Sequence, residues 1–197
     1  MRCIYCQNYP AYLESNTLTL EELKTMIKEN WAIDAIKFTG GEPTLQKDAL
    51  LNVAKALRDA FNIGIAIDTN GTNPNVIKEL AKIGLFEAAV DLKAPKNKYP
   101  RITGIQAFEK VLDTIKILKD YNVDFEVRTT VVMPILTSED ILAIADVLNK
   151  IDVKLWVLQN FRATKYTPRE LKPLSRKALE SLAKKIRENY SLHVKVR

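Results

Sequence analysis

Short β-branched segments alternate with amphipathic helical segments along most of the chain, and this alternation constrains the fold more than any other feature. Five segments predict strands: DAIKFTG, IGIAIDTNG, FEAAVDLKAP, VDFEVRTTVVMP and VKLWVLQNF. They are mostly apolar rather than strictly alternating, as is typical of strands covered on both faces. Strands separated by helices run parallel, because the return path needs a crossover. The alternation therefore predicts an α/β domain with a parallel sheet, either an open doubly wound sheet or a barrel.

The helical segments carry their own boundary signals. One apolar face recurs at helical spacing after the first strand segment: Leu50, Val53, Ala54, Leu57 and Phe61. Thr19 and Glu22 predict a capping box at the start of the first helix. Asn73 followed by Pro74 predicts a helix start, and Gly84 predicts its end.

Length and composition limit the protein class. A chain of 197 residues with 47% apolar and 27% charged residues predicts one globular domain over residues 1–197. No apolar run approaches the ~18 residues that a membrane span needs, and two cysteines are too few for a secreted disulfide framework. We therefore expect a cytoplasmic protein with reduced thiols.

The chain has a net charge of +6 and a pI of about 9.2. Its lysines and arginines lie mostly among acidic residues on predicted helices, as in KALESLAKKIRE. Interleaved charge of this kind is typical of a solvated helix face. On charge alone we do not expect a nucleic-acid partner.

Polar or glycine-rich residues stand at the carboxyl ends of the predicted strands. In chain order these groups are Gly40-Gly41-Glu42-Pro43, Asp68-Thr69-Asn70-Gly71, Asp91-Leu92-Lys93, Arg128 within the fourth strand, and Gln159-Asn160. Ligands bind at this edge of the sheet in parallel α/β proteins. Five strands with polar groups at one edge therefore predict a ligand site there.

Each of these groups also has a purely structural interpretation. Gly40 and Gly41 are compatible with a tight turn, and an Asn-Gly pair with an ordinary left-handed turn. Lys93 and Arg128 belong to buried strands, where an unpaired charge is expensive. They indicate either a bound anion or an ion pair, for which Asp91 is the nearest partner in sequence. His193, the only histidine, is interpreted as structural or exposed.

Cys3 and Cys6 are the only cysteines. A structural zinc site needs about four ligands, more than the chain offers nearby. A thioredoxin-type dithiol needs a preceding strand, and only two residues precede Cys3. Two buried structural cysteines are a third interpretation, and thiolate ligands of an iron–sulfur cluster are the fourth.

Taken together, these segments resemble the radical S-adenosylmethionine (SAM) superfamily, whose motif is Cys-x-x-x-Cys-x-aromatic-Cys. Cys3, Tyr5 and Cys6 match its second cysteine, its aromatic residue and its third cysteine, and FTGGEPTLQ resembles the glycine-rich SAM-binding segment. DTNG, VDLKAPKNKYPRITG, FEVRTTVV and VLQNFR resemble the activating enzymes of glycyl-radical proteins. The resemblance is strongest to those acting on anaerobic ribonucleoside-triphosphate reductase.

The resemblance implies a partial (β/α)6 TIM-type barrel with its site at the carboxyl mouth of the strands. It also implies a [4Fe-4S] cluster and SAM, whose reductive cleavage yields a 5′-deoxyadenosyl radical. In the activating enzymes that radical removes a hydrogen atom from a backbone glycine of a partner. The implied partners are a glycyl-radical enzyme of the anaerobic ribonucleotide reductase or pyruvate formate-lyase type, and a one-electron donor such as flavodoxin or ferredoxin.

The resemblance assigns roles to particular residues. Cys3 and Cys6 match cluster ligands, while Tyr5 and Asn8 match residues that lie against the adenine. The glycine-rich segment receives the methionyl amine through Gly40, Gly41 and Glu42.

A second group of matched residues surrounds the rest of the SAM molecule. Asp68, Thr69 and Asp91 match positions that hold a monovalent cation against the SAM carboxylate. Lys93 and Arg128 match catalytic positions that contact the SAM carboxylate, the ribose or the incoming glycine loop.

The chain departs from the motif at its start. The first cysteine of the motif belongs four positions before Cys3, and the family's first strand belongs before that cysteine. We therefore expect an N-terminally truncated chain that begins inside the cluster-binding loop and whose barrel lacks its first strand. Two alternatives stay open: an enzyme like 7-carboxy-7-deazaguanine synthase, which VDLKAPKNKYPRITG disfavours, and a non-catalytic barrel that binds SAM or a partner.

Overall fold

The computed structural model describes residues 1–6, 17–30 and 32–197. Within them the strands are β1 (Ala35–Phe38), β2 (Gly64–Thr69), β3 (Leu85–Asp91), β4 (Asp124–Val131), β5 (Leu155–Asn160) and β6 (His193–Val196). The helices are α1 (Leu20–Lys28), α2 (Lys47–Phe61), α3 (Pro74–Ile83), α4 (Tyr99–Thr103), α5 (Phe108–Asp120), α6 (Ser138–Lys150) and α7 (Arg176–Asn189), with a 3₁₀ turn at Pro43–Gln46. All five predicted strands are confirmed.

The described strands form one parallel sheet in the order β1-β2-β3-β4-β5-β6, and β6 does not pair with β1. Each strand therefore pairs with the next one in the chain. Right-handed crossovers between sequential neighbours place their helices on the same side of the sheet. In agreement, α2 contacts α3, α3 contacts α5, and α6 contacts α7. The fold is an open, barrel-type α/β sheet, which confirms the predicted class and excludes the doubly wound alternative.

The hydrophobic core lies between the sheet and this helix layer. Successive strand residues point to opposite faces of the sheet, and Ile65, Ile67, Val90 and Val127 point toward the helices, where each is fully buried. The predicted apolar face of α2 packs there through Leu50, Ala54 and Leu57, which are also buried.

The predicted helix boundaries are confirmed with one difference in detail. Thr19 and Glu22 form the expected capping box of α1. Gly84 ends α3 with φ +106°, a backbone conformation that favours glycine. Asn73 precedes Pro74 as expected, but its side chain does not cap α3. It donates to the Thr44 Oγ1 atom at 2.8 Å instead, which ties the start of α3 to the glycine-rich segment.

The face of the sheet opposite the helices, called the inner face below, is charged. Lys37, Asp68, Glu87, Glu126 and Arg128 occupy strand positions that alternate with the core residues. Lys37 pairs with Asp68 on the adjacent strand and with Glu87 two strands away. Arg128 pairs with Asp68 two strands away and with Glu126 on its own strand. A cavity of about 590 Å³ opens on this face. The apolar strand pattern also predicted that both faces of the sheet are covered, and this prediction is wrong at these positions.

None of the helices in the described part of the chain is long and apolar enough to cross a membrane.

Candidate active site

Glu42 joins two of the predicted site segments. It lies in the loop after β1, at the start of the 3₁₀ turn, and its Oε1 atom accepts hydrogen bonds from the Thr44 amide at 3.2 Å and the Thr44 hydroxyl at 2.5 Å. The same atom accepts from the Thr69 hydroxyl at 2.8 Å. The Asn70 amide donates to Oε2 at 2.7 Å. Four donors therefore fix one carboxylate at the carboxyl edge of β1 and β2.

The sequence predicted Glu42 and Thr69 but missed their partners. Thr44 stands directly after Gly-Gly-Glu-Pro, so its place beside the predicted segment was a signal, but its buried hydroxyl is recognised as a donor only in the structure. The Asn70 contact is made by a backbone amide, and no side-chain pattern indicates it.

Gly40 and Gly41 lie exposed in the same loop. Gly40 has φ +114°, which favours glycine, and a Cβ atom built on it meets no heavy atom within 4 Å. Gly40 is therefore favoured by its backbone conformation rather than by the closeness of a neighbouring side chain. It leaves open space beside Glu42.

Asp68 and Thr69 are adjacent in β2 and point in different directions. The Asp68 Oδ2 atom pairs with the Arg128 Nη1 atom at 3.1 Å on the inner face, whereas Thr69 is buried and bonds to Glu42. Asp91 is in register with Arg128 on the neighbouring strand. The structure thus brings Asp68, Asp91 and Arg128 to one region, with Thr69 facing away from them.

Arg128 is held from two sides. Its Nε atom donates to Glu126 at 2.6 Å, and Glu126 also receives a bidentate contact from Arg197 at 2.8 and 3.0 Å. Burial alone lowers the pKa of the Arg128 guanidinium, but Glu126 and Asp68 outweigh it and the net pKa is raised. Arg128 therefore stays a cation, and Glu126 and Arg197 are site residues that the sequence did not reveal.

Lys93 follows β3 and forms the ion pair with Asp91 that was one of its two predicted interpretations. The Lys93 Nζ atom lies 2.8 Å from the Asp91 Oδ2 atom. Burial alone lowers the pKa of Lys93, but Asp91 and the neighbouring Tyr5 and Cys3 reverse this, so its pKa is well above the ordinary value. A buried, charged lysine therefore stands beside the cysteine segment.

The cysteine segment packs against the short helix α4, which follows β3. The Arg2 and Ile4 amides donate to the Thr103 and Ile102 carbonyl oxygens at 2.9 and 3.2 Å, and the Cys6 amide donates to the Cys3 carbonyl oxygen at 3.1 Å. Both cysteines are half-buried free thiols. Burial raises the pKa of the Cys3 thiol, and Lys93 partly opposes that rise.

Tyr5 is buried in the core, only 4% exposed, so its predicted contact with adenine stays a prediction. Its hydroxyl group and that of Tyr99 have no hydrogen-bond partner among the described residues. Burial raises the pKa of both hydroxyl groups, and the charges of Lys93 and Cys3 act on both. These two protonated hydroxyl groups therefore have no acceptor in the described part of the chain, and the charge of Cys3 acts on both.

These observations fit part of a cluster site. Cys3 and Cys6 supply two thiolates, fewer than the three of the family motif. Within residues 1–6, 17–30 and 32–197, no group of three histidine, cysteine or acidic side chains comes together as a metal site. The predicted Asn8 lies outside the described residues, and the monovalent cation stays a prediction.

Comparison with known proteins places these features in a family. The family model for the radical SAM superfamily matches residues 1–148. A protein of Methanocaldococcus jannaschii, provisionally named a glycyl-radical enzyme activating enzyme, is 38% identical over 181 residues, covering 88% of this chain and 74% of the relative. A protein of Thermococcus kodakarensis, provisionally named GTP 3′,8-cyclase, is 33% identical over 135 residues, covering 66% of this chain and 43% of that protein.

The fold has solved counterparts. The crystal structure of a domain of pyruvate-formate lyase-activating enzyme from Bacteroides vulgatus matches with a TM-score of 0.67 and 16% identity, over 82% of this chain and 98% of that domain. At this identity the likeness concerns the fold alone, and it agrees with the open parallel sheet described above. Since the family model spans most of the sequence, including Cys3, Cys6 and the Glu42 loop, the chain belongs to the radical SAM superfamily, whose enzymes use a [4Fe-4S] cluster and SAM.

Proposed function

We propose that the protein is an activating enzyme that installs a glycyl radical on a partner enzyme. The observation that carries this proposal is the 38% identity to the M. jannaschii relative, which extends over most of both chains. The cyclase relatives match a smaller share of this chain and less than half of their own length. When bound, the cluster and SAM together supply a 5′-deoxyadenosyl radical that abstracts a hydrogen atom.

Glu42 is proposed to hold the methionyl ammonium of SAM. A carboxylate offers about four acceptor positions, and Oε1 is already occupied by three donors, whereas Oε2 accepts only the Asn70 amide in the described part of the chain. The ammonium would therefore bind at Oε2. Gly40, with open space where a side chain would project, allows the ligand to approach the loop backbone.

Cys3 and Cys6 are proposed as cluster ligands. Lys93 supports this role because its positive charge favours the Cys3 thiolate over the thiol. The donor set of the printed sequence is one thiolate short of the family motif. The family motif has its first cysteine four positions before Cys3, and the test below uses a chain extended to include it.

Lys93 and Arg128 are proposed to contact the SAM carboxylate or the incoming glycine segment. Each already neutralises a carboxylate, so each can bind a further anionic group only if it shares its charge with Asp91 or Asp68. A monovalent cation held by Asp68, Thr69 and Asp91 would require Thr69 to turn away from Glu42. We therefore propose that Lys93 is the main cation that faces the SAM carboxylate.

The proposed partner is a glycyl-radical enzyme of the anaerobic ribonucleotide reductase or pyruvate formate-lyase type, with flavodoxin or ferredoxin as the electron donor. The test is anaerobic iron–sulfide reconstitution of an extended chain that carries the third cysteine. After incubation with SAM, a reductant and the glycyl-radical enzyme of the same genome, we expect a glycyl-radical signal in the electron paramagnetic resonance spectrum of the partner.

A matched control keeps the extension and replaces Cys3 by serine, and it should give no signal. GTP serves as the competing substrate in a parallel incubation. If GTP is consumed and the partner carries no radical, the protein is a cyclase-type enzyme and the activase proposal is wrong.

A further inference from the structure

The positive charge of the protein is concentrated in one segment between β5 and α7. Residues 162–177, called the basic segment, contain a single carboxylate, Glu170, and six cations: Arg162, Lys165, Arg169, Lys172, Arg176 and Lys177. The segment carries +5 of the chain's net charge of +6. The expectation that the basic residues lie among acidic ones therefore holds for the rest of the chain but not here.

The six cations are available to a partner. All are exposed, and none forms an ion pair with another residue in the described part of the chain. Arg176 and Lys177 occupy the first turn of α7, where the helix dipole favours acidic residues. The first turns of α1 and α6 carry acidic pairs instead. Arg176 and Lys177 therefore do not stabilise α7 through the helix dipole.

Hydrogen bonds attach the basic segment to the carboxyl edge of the sheet. Asn160, the last residue of β5, exchanges two hydrogen bonds with the Leu174 backbone, at 2.8 and 3.1 Å. The Met133 and Lys172 backbones exchange two more, at 2.9 and 2.8 Å, just beyond β4. Within the segment, Thr167 and Leu171 are buried. Asn160, which the sequence placed at the predicted ligand edge, therefore anchors the basic segment. The six cations lie at the carboxyl edge of the sheet, where Glu42 also lies.

We propose that the basic segment is the docking surface for an acidic face of the protein substrate. This inference rests on the proposed function, since a polypeptide whose glycine reacts must approach this mouth. A group of cations on a backbone attached at this edge attracts an acidic protein surface over a distance and favours one orientation of it. Nucleic acid is the less favoured occupant, because the rest of the chain carries only about one net positive charge, too little to extend a footprint along a phosphate backbone.

The test compares two charge-matched double variants. Lys165→Glu with Arg169→Glu reverses two cations of the basic segment. Lys55→Glu with Lys150→Glu reverses two exposed, unpaired lysines on α2 and α6. Biolayer interferometry measures the affinity of each chain for the glycyl-radical enzyme of the same genome and for a single-stranded RNA of 20 nucleotides. Circular dichroism confirms that both variants keep the fold.

We expect the first variant to bind the enzyme about tenfold or more weakly at low salt, with a difference that shrinks at high salt. The control variant should bind much as the unmodified chain does. Equal binding by both variants, while the reconstituted extended chain with the third cysteine still produces the glycyl radical, overturns the docking surface but leaves the proposed function intact. Tighter binding of RNA than of the enzyme, lost only in the first variant, overturns it in favour of nucleic acid. If the unmodified chain does not bind the enzyme and the reconstituted extended chain does not produce the radical, the proposed function itself fails.

Discussion

Replacing Glu42 by alanine should destabilise the fold as well as the proposed SAM site. The carboxylate accepts four hydrogen bonds from Thr44, Thr69 and Asn70, and both threonines are buried. A hydrogen bond to a charged group contributes about 1.5–3 kcal/mol. Water can replace part of this loss because Glu42 is only half-buried, and each threonine hydroxyl keeps one other bond.

The resulting cost is about 2–4 kcal/mol, a large share of a typical stability of about 5–15 kcal/mol. For a protein of this size it corresponds to a fall in Tm of about 4–16 °C. Thermal and urea unfolding of the chain as it stands measure this effect without any cluster.

Glu79→Ala is the control, because Glu79 forms only an exposed pair with Lys82 on α3, worth about 0.5 kcal/mol or less. Glu42→Gln keeps one acceptor oxygen and should lie between the two. If Glu42→Ala unfolds at the same denaturant concentration as Glu79→Ala, Glu42 does not hold the β1 and β2 loops together.

Two further predictions concern ion pairs. Burial alone raises the pKa of Glu126, but Arg128 and Arg197 hold it below the ordinary value, so its contribution to stability is present at neutral pH and is lost as the pH falls below about 4. Glu126→Gln should therefore flatten the fall in Tm between neutral and acidic pH, and an unchanged slope would contradict this. Lys98 pairs with the nearly buried Asp140 at 2.6 Å, so Lys98→Met should cost about 1–3 kcal/mol by leaving that carboxylate unpaired, as measured by urea unfolding. Lys96→Met removes an exposed pair with Glu109 and should cost about 0.5 kcal/mol or less; equal costs would refute the argument.

The order of the elements was predictable from the sequence because it depends on local periodicity. Apolar runs and helical spacing gave all five predicted strands and the buried face of α2. The Thr19 capping box and the Gly84 helix end were also predictable, since each depends on residues close together in the chain. The positions of Glu42 and Asp68 at the carboxyl edge followed from the rule that parallel strands end on the same side.

The contacts of the candidate site were not predictable to the same degree. Glu126 and Arg197 are separated by 71 positions, and their contact depends on how the strands lie side by side. Asp68 and Thr69 are adjacent in sequence, but neighbouring strand residues point to opposite faces of the sheet. Asp68 therefore pairs with Arg128, whereas Thr69 donates to Glu42. The charges of the basic segment can be counted in the sequence, but its attachment to the carboxyl edge of the sheet depends on hydrogen bonds with Asn160 and Met133.

The sequence by itself determined the α/β class, the parallel sheet and the two chemical segments around Cys3 and Glu42. Its periodicity left open whether the sheet is doubly wound or of the barrel type, because both arrangements share it, and only the family resemblance favoured the barrel. Only the tertiary structure decided this, by pairing each strand with the next and so placing the helices on one side. In the part of the chain that the structure describes, the helices pack on the face opposite the inner face. The charges of Lys37, Asp68 and Arg128 are tolerated on the inner face because they form ion pairs across the sheet and remain partly hydrated.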